Sequence, residues 1–249
     1  MRVFQFIKMQ GLGNDFVVLE GPLSLKVEEI SELCDRRFGV GADGVLVVTN
    51  LEPVRMEYWN ADGSPAEMCG NGLRCVARYA YDKGWSRDRN FVVQTPVGTR
   101  RVRVLEDGVE VELARPSVTG HRTLEGERYH LVDVGNPHAV VIVDDPAAVD
   151  VAGEGSKVQA EFDGGTNVEF ITVTSDGVKM RVWERGVGET MACGTGMVAA
   201  AFVASKTDGL ESPVSVQVPG GTGVVTFRDG VAWLKGPAEY SFRGSVGER

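Results

Sequence analysis

The sequence predicts an α+β protein that consists of two pseudo-symmetric copies of one unit. Aligned with itself at an offset of 124 residues (180 minus 56), the 249-residue chain matches without gaps. The aligned pairs are Met56 with Met180, Trp59 with Trp183, Cys69 with Cys193, Gly70 with Gly194, Gly72 with Gly196, Ala77 with Ala201 and Ala80 with Ala204. A repeated Trp together with a repeated Cys-Gly-x-Gly is difficult to obtain by chance, so the pattern indicates an internal duplication.

Short strand patterns open the first half. Runs of β-branched or aromatic residues bounded by Gly, Pro or Asn occupy residues 4–7, 16–19, 45–49 and 56–59. With small shifts the repeat extends to turn residues on either side. The additional matches are Gly13-Asn14 with Gly135-Asn136, and Gln94-x-Pro96-x-Gly98-Thr99 with Gln217-x-Pro219-x-Gly221-Thr222.

Each half then contains a helix. Residues 73–84 place their apolar side chains on one face and end at Gly84, which is typical of a helix terminus. The equivalent residues 197–204 are apolar on every side, which predicts a helix enclosed by sheet. Hairpins with turns at Asp107-Gly108 and Asp229-Gly230 follow these helices. A second helix is predicted at residues 27–37, with a counterpart at residues 146–159.

The repeat also predicts the domain organisation. We expect a first domain at residues 1–115 and a second at residues 116–236, with the boundary near Arg115-Pro116. Residues 238–243 have no equivalent in the order of the first half. The segment 237–249 is therefore expected to return to the first domain.

Composition narrows the class of function. The chain has 26 basic and 35 acidic residues, a net charge of −9, so a nucleic-acid partner is not expected. The dense basic patch at Arg100, Arg101 and Arg103 lies in an alternating pattern that is typical of a solvated strand face. No apolar run approaches membrane-spanning length, and the amino terminus lacks the pattern of a secretory signal. A cytoplasmic protein with no membrane partner is expected, in which the four cysteines are thiols.

Two of those thiols stand at the starts of the two repeated helices. A helix N-terminus favours a thiolate, so Cys69 and Cys193 are candidate bases whose pKa is lowered into the working range. The N–H groups of the following residues can hold an anion at the same helix ends. Those residues are Gly70, Asn71, Gly194 and Thr195. We expect one site between the halves that holds a carboxylate on two helix ends.

Two equivalent weak acids on opposite sides of one carbon suit the inversion of a stereocentre. One group removes the Cα proton from one face while the other supplies a proton to the opposite face. Donors directed at the carboxylate stabilise the charge that develops on it. This scheme requires no cofactor and no metal.

Five segments, in order along nearly the whole chain, resemble the diaminopimelate epimerase family. They are Gly11-Leu-Gly-Asn-Asp-Phe16, Asn60-Ala-Asp-Gly-Ser-Pro-Ala-Glu-Met-Cys-Gly-Asn-Gly72, Gly135-Asn-Pro-His138, Thr166-Asn-Val-Glu-Phe170 and Glu184-Arg-Gly-Val-Gly-Glu-Thr-Met-Ala-Cys-Gly-Thr-Gly196. The resemblance implies a cofactor-independent epimerase that interconverts LL- and meso-2,6-diaminopimelate in lysine biosynthesis. It also implies two pseudo-symmetric domains, each a β-barrel-like sheet around a central helix. A homodimer is the expected assembly.

The resemblance also implies roles for individual residues. Cys69 and Cys193 are expected to be the acid/base pair, with His138 and Glu184 beside them to tune their protonation. Gly70, Asn71, Gly194 and Thr195 are expected to hold the reacting carboxylate. The residues expected to hold the distal amino and carboxylate groups are Asn14, Asn60, Asn136, Asn167 and Arg185, and Glu184 is also expected to bind substrate. Two positions depart from the family pattern, Gly44 in place of a Gln found in some members and Pro65 in place of an acidic residue.

Several plainer interpretations stand beside this one. Cys34 and Cys75 lie in helical patterns without repeat partners, so they are expected to be small buried side chains. A zinc site is disfavoured by the cysteine spacing. His138 alone could be a structural histidine, and Asn beside Gly or Pro is usual in turns.

Other classes of function remain open at this point. The first is a redox protein in which Cys69 and Cys193 form a switchable disulfide, although the chain has no Cys-x-x-Cys. A second is a pure binding module. Within the isomerases, the alternative is a proline racemase-like or broad-specificity amino-acid racemase of the same fold.

Overall fold

The computed structural model describes residues 2–66 and 69–247. Glu67 and Met68 of the second motif lie outside the described residues, as do Met1 and the last two residues of the chain. The chain divides into two compact units, one formed by Met1–Val111 with Gly236–Arg249 and the other by Glu112–Lys235. The first division falls at the end of a hairpin strand, slightly before the Arg115-Pro116 position that the sequence indicated.

Eight strands form the sheet of the first unit. In chain order they are β1 (Phe4–Gly11), β2 (Asn14–Glu20), β3 (Gly44–Thr49), β4 (Val54–Asn60), β5 (Asn90–Thr95), β6 (Gly98–Leu105), β7 (Gly108–Glu112) and β17 (Glu239–Val246). The pairs β2–β3 and β4–β5 are parallel, and the pairs β1–β2, β3–β4, β5–β6 and β6–β7 are antiparallel. The last strand of the chain, β17, pairs antiparallel with β1.

The second unit repeats this arrangement. Its strands are β8 (Ser117–Leu124), β9 (Glu127–Asp133), β10 (Pro137–Ile142), β11 (Asn167–Thr174), β12 (Gly177–Glu184), β13 (Gly188–Thr190), β14 (Val214–Val218), β15 (Gly221–Arg228) and β16 (Val231–Gly236). Here β10–β11 and β12–β14 are parallel, corresponding to β2–β3 and β4–β5. The strand β8 pairs antiparallel with β9, and β17 pairs antiparallel with β1. In the first unit β17 therefore occupies the position that β8 occupies in the second.

A central helix lies in each sheet. They are α2 (Gly70–Asp82) and α4 (Gly194–Thr207), and the sequence prediction of both is confirmed. Helix α2 contacts β1, β2, β3, β4 and β6, while α4 contacts β9, β10, β11, β12, β14 and β15. Because strands surround α4, most of its side chains are buried, as its uniformly apolar sequence predicted.

The smaller helices differ from the sequence prediction at their ends. Helix α1 (Val27–Cys34) ends before residue 37 because Asp35 has an extended backbone, and its carboxylate accepts the N–H groups of Arg37 and Phe38. The segment 146–159 is divided into a 3-10 turn (Pro146–Ala148) and α3 (Val151–Ala160). Each begins at its own aspartate cap, Asp145 and Asp150. None of the helices within the described residues is both long and apolar enough to cross a membrane.

Candidate active site

Cys69 caps the first turn of α2. Its backbone is extended (φ −141°, ψ 110°), and its Sγ accepts the N–H of Gly72 at 3.3 Å. The thiol also donates to Oδ1 of Asn14 at 3.4 Å. Gly70 and Asn71 supply the first N–H groups of the same helix, where the helix dipole and the end of the backbone ladder favour an anion.

Cys193 has the same position on α4. Its backbone is extended (φ −110°, ψ 117°), and its Sγ accepts the N–H of Gly196 at 3.4 Å. The hydroxyl of Thr195 lies 3.5 Å from the sulfur. The two cysteines therefore occupy equivalent positions on equivalent helices, each followed by Gly and a polar residue. All four cysteines of the chain are thiols, and Cys34 and Cys75 are buried, as the sequence predicted.

The electrostatic environment of Cys193 is acidic. Burial raises the pKa of this thiol well above its usual range, and Glu184 and Glu169 raise it further, against the opposing hydrogen bonds of Thr195 and Gly196. The expectation that a helix N-terminus lowers this pKa into the working range is therefore wrong for Cys193. Burial likewise raises the pKa of Glu184, while hydrogen bonds from Thr190 and Cys193 act against that rise. Near pH 7 the sulfur of Cys193 consequently carries a proton.

A chain of polar side chains connects His138 with the start of α4. His138 Nδ1 lies 2.6 Å from Oε1 of Glu169, and both side chains are fully buried. The other ring nitrogen lies 3.0 Å from Oδ1 of Asn136, whose amide donates to Thr195 Oγ1 at 3.4 Å. These contacts bring His138, Asn136 and Thr195 together, with Glu169 as an additional member.

A second polar chain begins at Cys69 in the first unit. Asn14 Oδ1, the acceptor of the thiol, also accepts the amide of Asn71 at 3.2 Å. Asn71 Oδ1 in turn accepts Nη2 of Arg74 at 2.8 Å. The side-chain amide nitrogen of Asn14 donates a hydrogen bond to the carboxylate of Asp43 at 2.7 Å. These contacts fix the orientation of Asn14 beside the sulfur.

A partly buried ion cluster lies next to Asn14. Lys8 Nζ lies 2.7 Å from the carboxylate of Asp15, which also receives two hydrogen bonds from Arg36. Arg36 bridges Asp15 to Asp43. Burial opposes ionisation of Asp15, but the hydrogen bonds from Arg36 and Lys8 outweigh it and lower the pKa of Asp15 from 3.8 to about 2.

The residues expected to bind the distal end of the substrate have varied surroundings. Asn167 is buried and its side chain is already engaged, since its amide donates to Pro137 O at 2.9 Å and its oxygen accepts the N–H of Arg185 at 3.0 Å. Asn167 therefore sets the backbone of Arg185, whose own side chain is exposed. Asn60 is exposed and donates to Ser64 Oγ at 3.0 Å.

Gly44 is closely covered by its neighbours. A Cβ at this position would lie 2.5 Å from Trp59 O and 2.6 Å from the ring of Tyr58. A longer residue would therefore require β4 to move. This packing disfavours any side chain at position 44 of this protein.

Two residues of the site were missed by sequence reasoning, Glu169 and Arg74. Glu169 interrupts an otherwise apolar strand, and Arg74 stands among apolar residues on the buried face of α2. A charged residue inside a buried pattern is the signal that could have identified both, because burial of a charge requires a specific partner.

The two copies of the repeat differ in the charged residues around their cysteines. Asn14 corresponds to Asn136, but the positions of His138, Glu169 and Glu184 are held in the first unit by Phe16, Leu46 and Asn60. Arg74 corresponds to Val198. The cysteine of the second unit thus lies among carboxylates, whereas that of the first unit has a buried cation on its own helix.

The duplicated architecture defines a class, the two-domain proteins with the PhzF and diaminopimelate epimerase-like fold. A crystal structure of a Bacillus anthracis phenazine biosynthesis protein of the PhzF family has this fold, with a TM-score of 0.79, 14% identity and 100% of both chains covered.

Sequence comparison identifies the family within this class. The diaminopimelate epimerase family model matches residues 6–119 and 130–240, and the chain belongs to that family. It is 39% identical to a diaminopimelate epimerase of Alkalilimnicola ehrlichii, over 97% of this chain and 98% of that protein. It is 41% identical to a diaminopimelate epimerase of Mycobacterium tuberculosis, over 98% of this chain and 97% of that protein.

Proposed function

We propose that this protein interconverts LL-2,6-diaminopimelate and meso-2,6-diaminopimelate by a two-base mechanism, as an isomerase of lysine biosynthesis. The observation that carries the proposal is the equivalent placement of Cys69 and Cys193. Each caps a central helix and accepts the N–H three residues ahead, in a chain of the diaminopimelate epimerase family. The chemistry requires the two sulfurs to face opposite sides of one substrate Cα.

In the proposed reaction one cysteine begins as a thiolate and the other as a thiol. The thiolate takes the Cα proton, and the electron pair of the C–H bond passes into the substrate carboxylate. The thiol on the opposite face then protonates the carbon and becomes a thiolate. The product has the opposite configuration, the protons balance, and the roles of the two sulfurs are exchanged for the reverse direction.

The helix ends stabilise the charge that develops in this reaction. The N–H groups of Gly70, Asn71, Gly194 and Thr195 would donate to the reacting carboxylate as it gains negative charge. Preorganised donors of this kind contribute about 3–4 kcal/mol each when they act on a developing oxyanion. No other group is needed to withdraw the electrons in this scheme.

Side chains beside the sulfurs would control protonation and recognition. Glu184 hydrogen-bonds Cys193 and, with His138, is suited to keep that thiol protonated between turnovers. Arg185 is exposed and can bind the distal carboxylate through two parallel hydrogen bonds. The side chains of Asn14, Asn60 and Asn136 would bind the substrate amino groups, while Asn167 holds the backbone of Arg185 in place.

The decisive experiment incubates the purified protein with LL-diaminopimelate in deuterium oxide, without added pyridoxal phosphate or metal. We expect deuterium at Cα together with formation of the meso isomer. Proline and hydroxyproline serve as alternative substrates, and inversion of those alone would favour the racemase interpretation. Binding without deuterium uptake would contradict catalysis, and activity that requires an oxidant would support the redox interpretation.

The expected compartment is the cytoplasm, where thiols are kept reduced, and the expected assembly is a homodimer. Sedimentation equilibrium of the purified protein tests the assembly directly, because a dimer has twice the 26.8 kDa mass of the chain.

A further inference from the structure

Arg74 on α2 is a fully buried cation. Its side chain is 0% exposed, and it donates from Nε to Pro237 O at 3.1 Å and from Nη2 to Asn71 Oδ1 at 2.8 Å. Two glycines, Gly11 and Gly236, lie against the guanidinium of Arg74. A side chain at either position would crowd it, because an added Cβ would lie only 3.0 Å from the guanidinium. A buried charge of this kind is costly unless an anion compensates it.

The identity of that anion follows from the neighbours of Arg74. Within residues 2–66 and 69–247, Arg74 forms no ion pair with an Asp or Glu, and its buried Nη1 has no hydrogen-bond partner. Burial lowers the pKa of Arg74, and negative charge on Cys75 or Cys69 acts in the opposite direction. Burial raises the pKa of Cys75 to about 12, so this thiol stays neutral near pH 7. Among the described neighbours of Arg74, Cys69 is the remaining source of negative charge.

A continuous set of hydrogen bonds connects the two groups. Arg74 donates to Asn71 at 2.8 Å, Asn71 donates to Asn14 at 3.2 Å, and Asn14 lies 3.4 Å from the sulfur of Cys69. Asn14 presents its oxygen to the Cys69 thiol, so this set of hydrogen bonds serves the protonated sulfur. The guanidinium stabilises a Cys69 thiolate by acting on it directly, through a region of low dielectric constant.

We propose that Arg74 is a positioning residue that supplies the counter-charge of the Cys69 thiolate, so that Cys69 is the base and Cys193 the proton donor of the resting protein. This inference rests on the proposed acid/base role of the two cysteines. The second unit has Val198 at the position equivalent to Arg74, and carboxylates lie around Cys193. The protonated form of Cys193 is therefore favoured.

Other charged side chains on the strands that contact α2 do not supply a counter-charge for the Cys69 thiolate. The cluster that holds Asn14 contains two cations and two anions, Lys8, Arg36, Asp15 and Asp43, whose charges cancel. On β4, Arg55 and Glu57 pair with each other at 3.3 Å. On β6, Arg101 and Arg103 are exposed to solvent, and Arg100 donates to the Thr99 carbonyl. At the carboxyl end of α2, Glu20 accepts hydrogen bonds from Tyr79 and Lys83.

The test measures the thiolate of each cysteine separately. The full-length protein is alkylated with iodoacetamide from pH 5 to pH 10, and mass spectrometry follows the peptides that contain Cys69 and Cys193. The thiolate displaces iodide and forms a thioether, so the rate reports the thiolate fraction. In the unchanged protein we expect Cys69 to titrate below about 8.5, the ordinary thiol pKa, and below Cys193.

Substitution of Arg74 gives the second part of the test. Arg74→Met keeps the volume and removes the charge, and we expect the pKa of Cys69 to rise by about one unit or more. Alkylation of Cys69 near neutral pH would then be about tenfold slower, while the profile of Cys193 stays in place. Arg74→Lys should restore much of the shift. Arg78→Met is the matched control, because Arg78 lies on the same helix but is partly exposed and paired with Asp82 at 3.0 Å.

Two results would overturn the inference. One is that Cys69 in the unchanged protein titrates at or above Cys193, a result that does not depend on whether any variant folds. The other is a folded Arg74→Met protein whose Cys69 profile coincides with that of the unchanged protein. Both measurements are made without substrate, so they are independent of the deuterium experiment that tests the proposed function.

Discussion

Nδ1 of His138 lies 2.6 Å from Oε1 of Glu169, and both side chains are completely buried. Glu169 thereby fixes the orientation of the imidazole ring, whose other nitrogen faces Asn136. The same carboxylate also acts on Cys193, since a Cβ on Gly196 beside that sulfur would lie 2.7 Å from Oε1. One acidic residue therefore influences both the histidine and the thiol of the second unit.

The first prediction concerns the charge of Glu169. Glu169→Gln keeps the shape of the side chain and removes a negative charge that raises the pKa of Cys193, so that pKa should fall. We expect kcat to fall about tenfold, equivalent to about 1.4 kcal/mol, because His138 loses its charged partner. Alkylation of Cys193 as a function of pH and steady-state kinetics provide the two measurements. An unchanged Cys193 profile in a folded variant would contradict the electrostatic role.

The second prediction concerns the two thiols. Cys69→Ala and Cys193→Ala should each lower the epimerisation rate at least about 10³-fold, because a base on one face cannot reprotonate the other. Cys34→Ala is the control, since Cys34 is the buried last residue of α1 and belongs to neither polar chain of the site. Its activity should be unchanged while its thermal midpoint falls by a few degrees. Full epimerase activity in either of the first two variants would refute the two-base mechanism.

Much of the fold could be predicted because the duplication repeats its patterns. The first four strands, both central helices and both hairpin turns follow from local residue patterns, and a pattern found twice is less ambiguous than one found once. The ends of α1 and α3 could not be predicted in the same way. They depend on the side chains of Asp35, Asp145 and Asp150, whose capping hydrogen bonds form only in the folded geometry.

The site was predictable to the extent that its chemistry lies in short motifs. Cys69 and Cys193 stand in repeated segments, so their equivalence is visible in the sequence. Arg74 and Glu169 act through contacts with residues elsewhere in the chain, Pro237 for the first and His138 for the second. The pKa of Cys193 could not be inferred either, because it depends on burial and on carboxylates from other strands.

The third prediction uses the repeat as its own control. Gly196→Ala would place a methyl group 2.7 Å from Glu169 Oε1 and 3.4 Å from the sulfur of Cys193. The atoms nearest to a methyl group at Gly72 would be the flexible ends of Leu46 and Met56, at 3.2 and 3.4 Å. We expect Gly196→Ala to be destabilised by about 1–3 kcal/mol, as overpacked sites are, with the larger loss of activity. Denaturant unfolding and initial rates of both variants measure the difference, and equal losses would contradict it.

The fourth prediction concerns stability at low pH. The pKa of Asp15 is depressed to about 2, so its ionisation stabilises the fold above the unfolded value near 3.8. That contribution should be lost as pH falls through about 2. Asp15→Asn should be less stable by on the order of 3 kcal/mol at pH 7, because Lys8 remains buried without its carboxylate. The difference in unfolding free energy between the two proteins should narrow between pH 4 and pH 2, and a constant difference would refute the assignment.

The fifth prediction separates substrate recognition from folding at Arg185. Its side chain is exposed, and its one hydrogen bond in the described residues is from Nη1 to Gly164 O at 3.4 Å. Arg185→Met should therefore leave the thermal midpoint unchanged but raise KM for diaminopimelate about tenfold or more, through loss of a charge-assisted contact to the distal carboxylate. Arg181→Met should behave differently, because Arg181 bonds Glu189 and the carbonyls of Pro146 and Val149. We expect Arg181→Met to lower the thermal midpoint with a smaller change in KM. Equal KM values for Arg185→Met and the unchanged protein would show that another residue binds the distal end of the substrate.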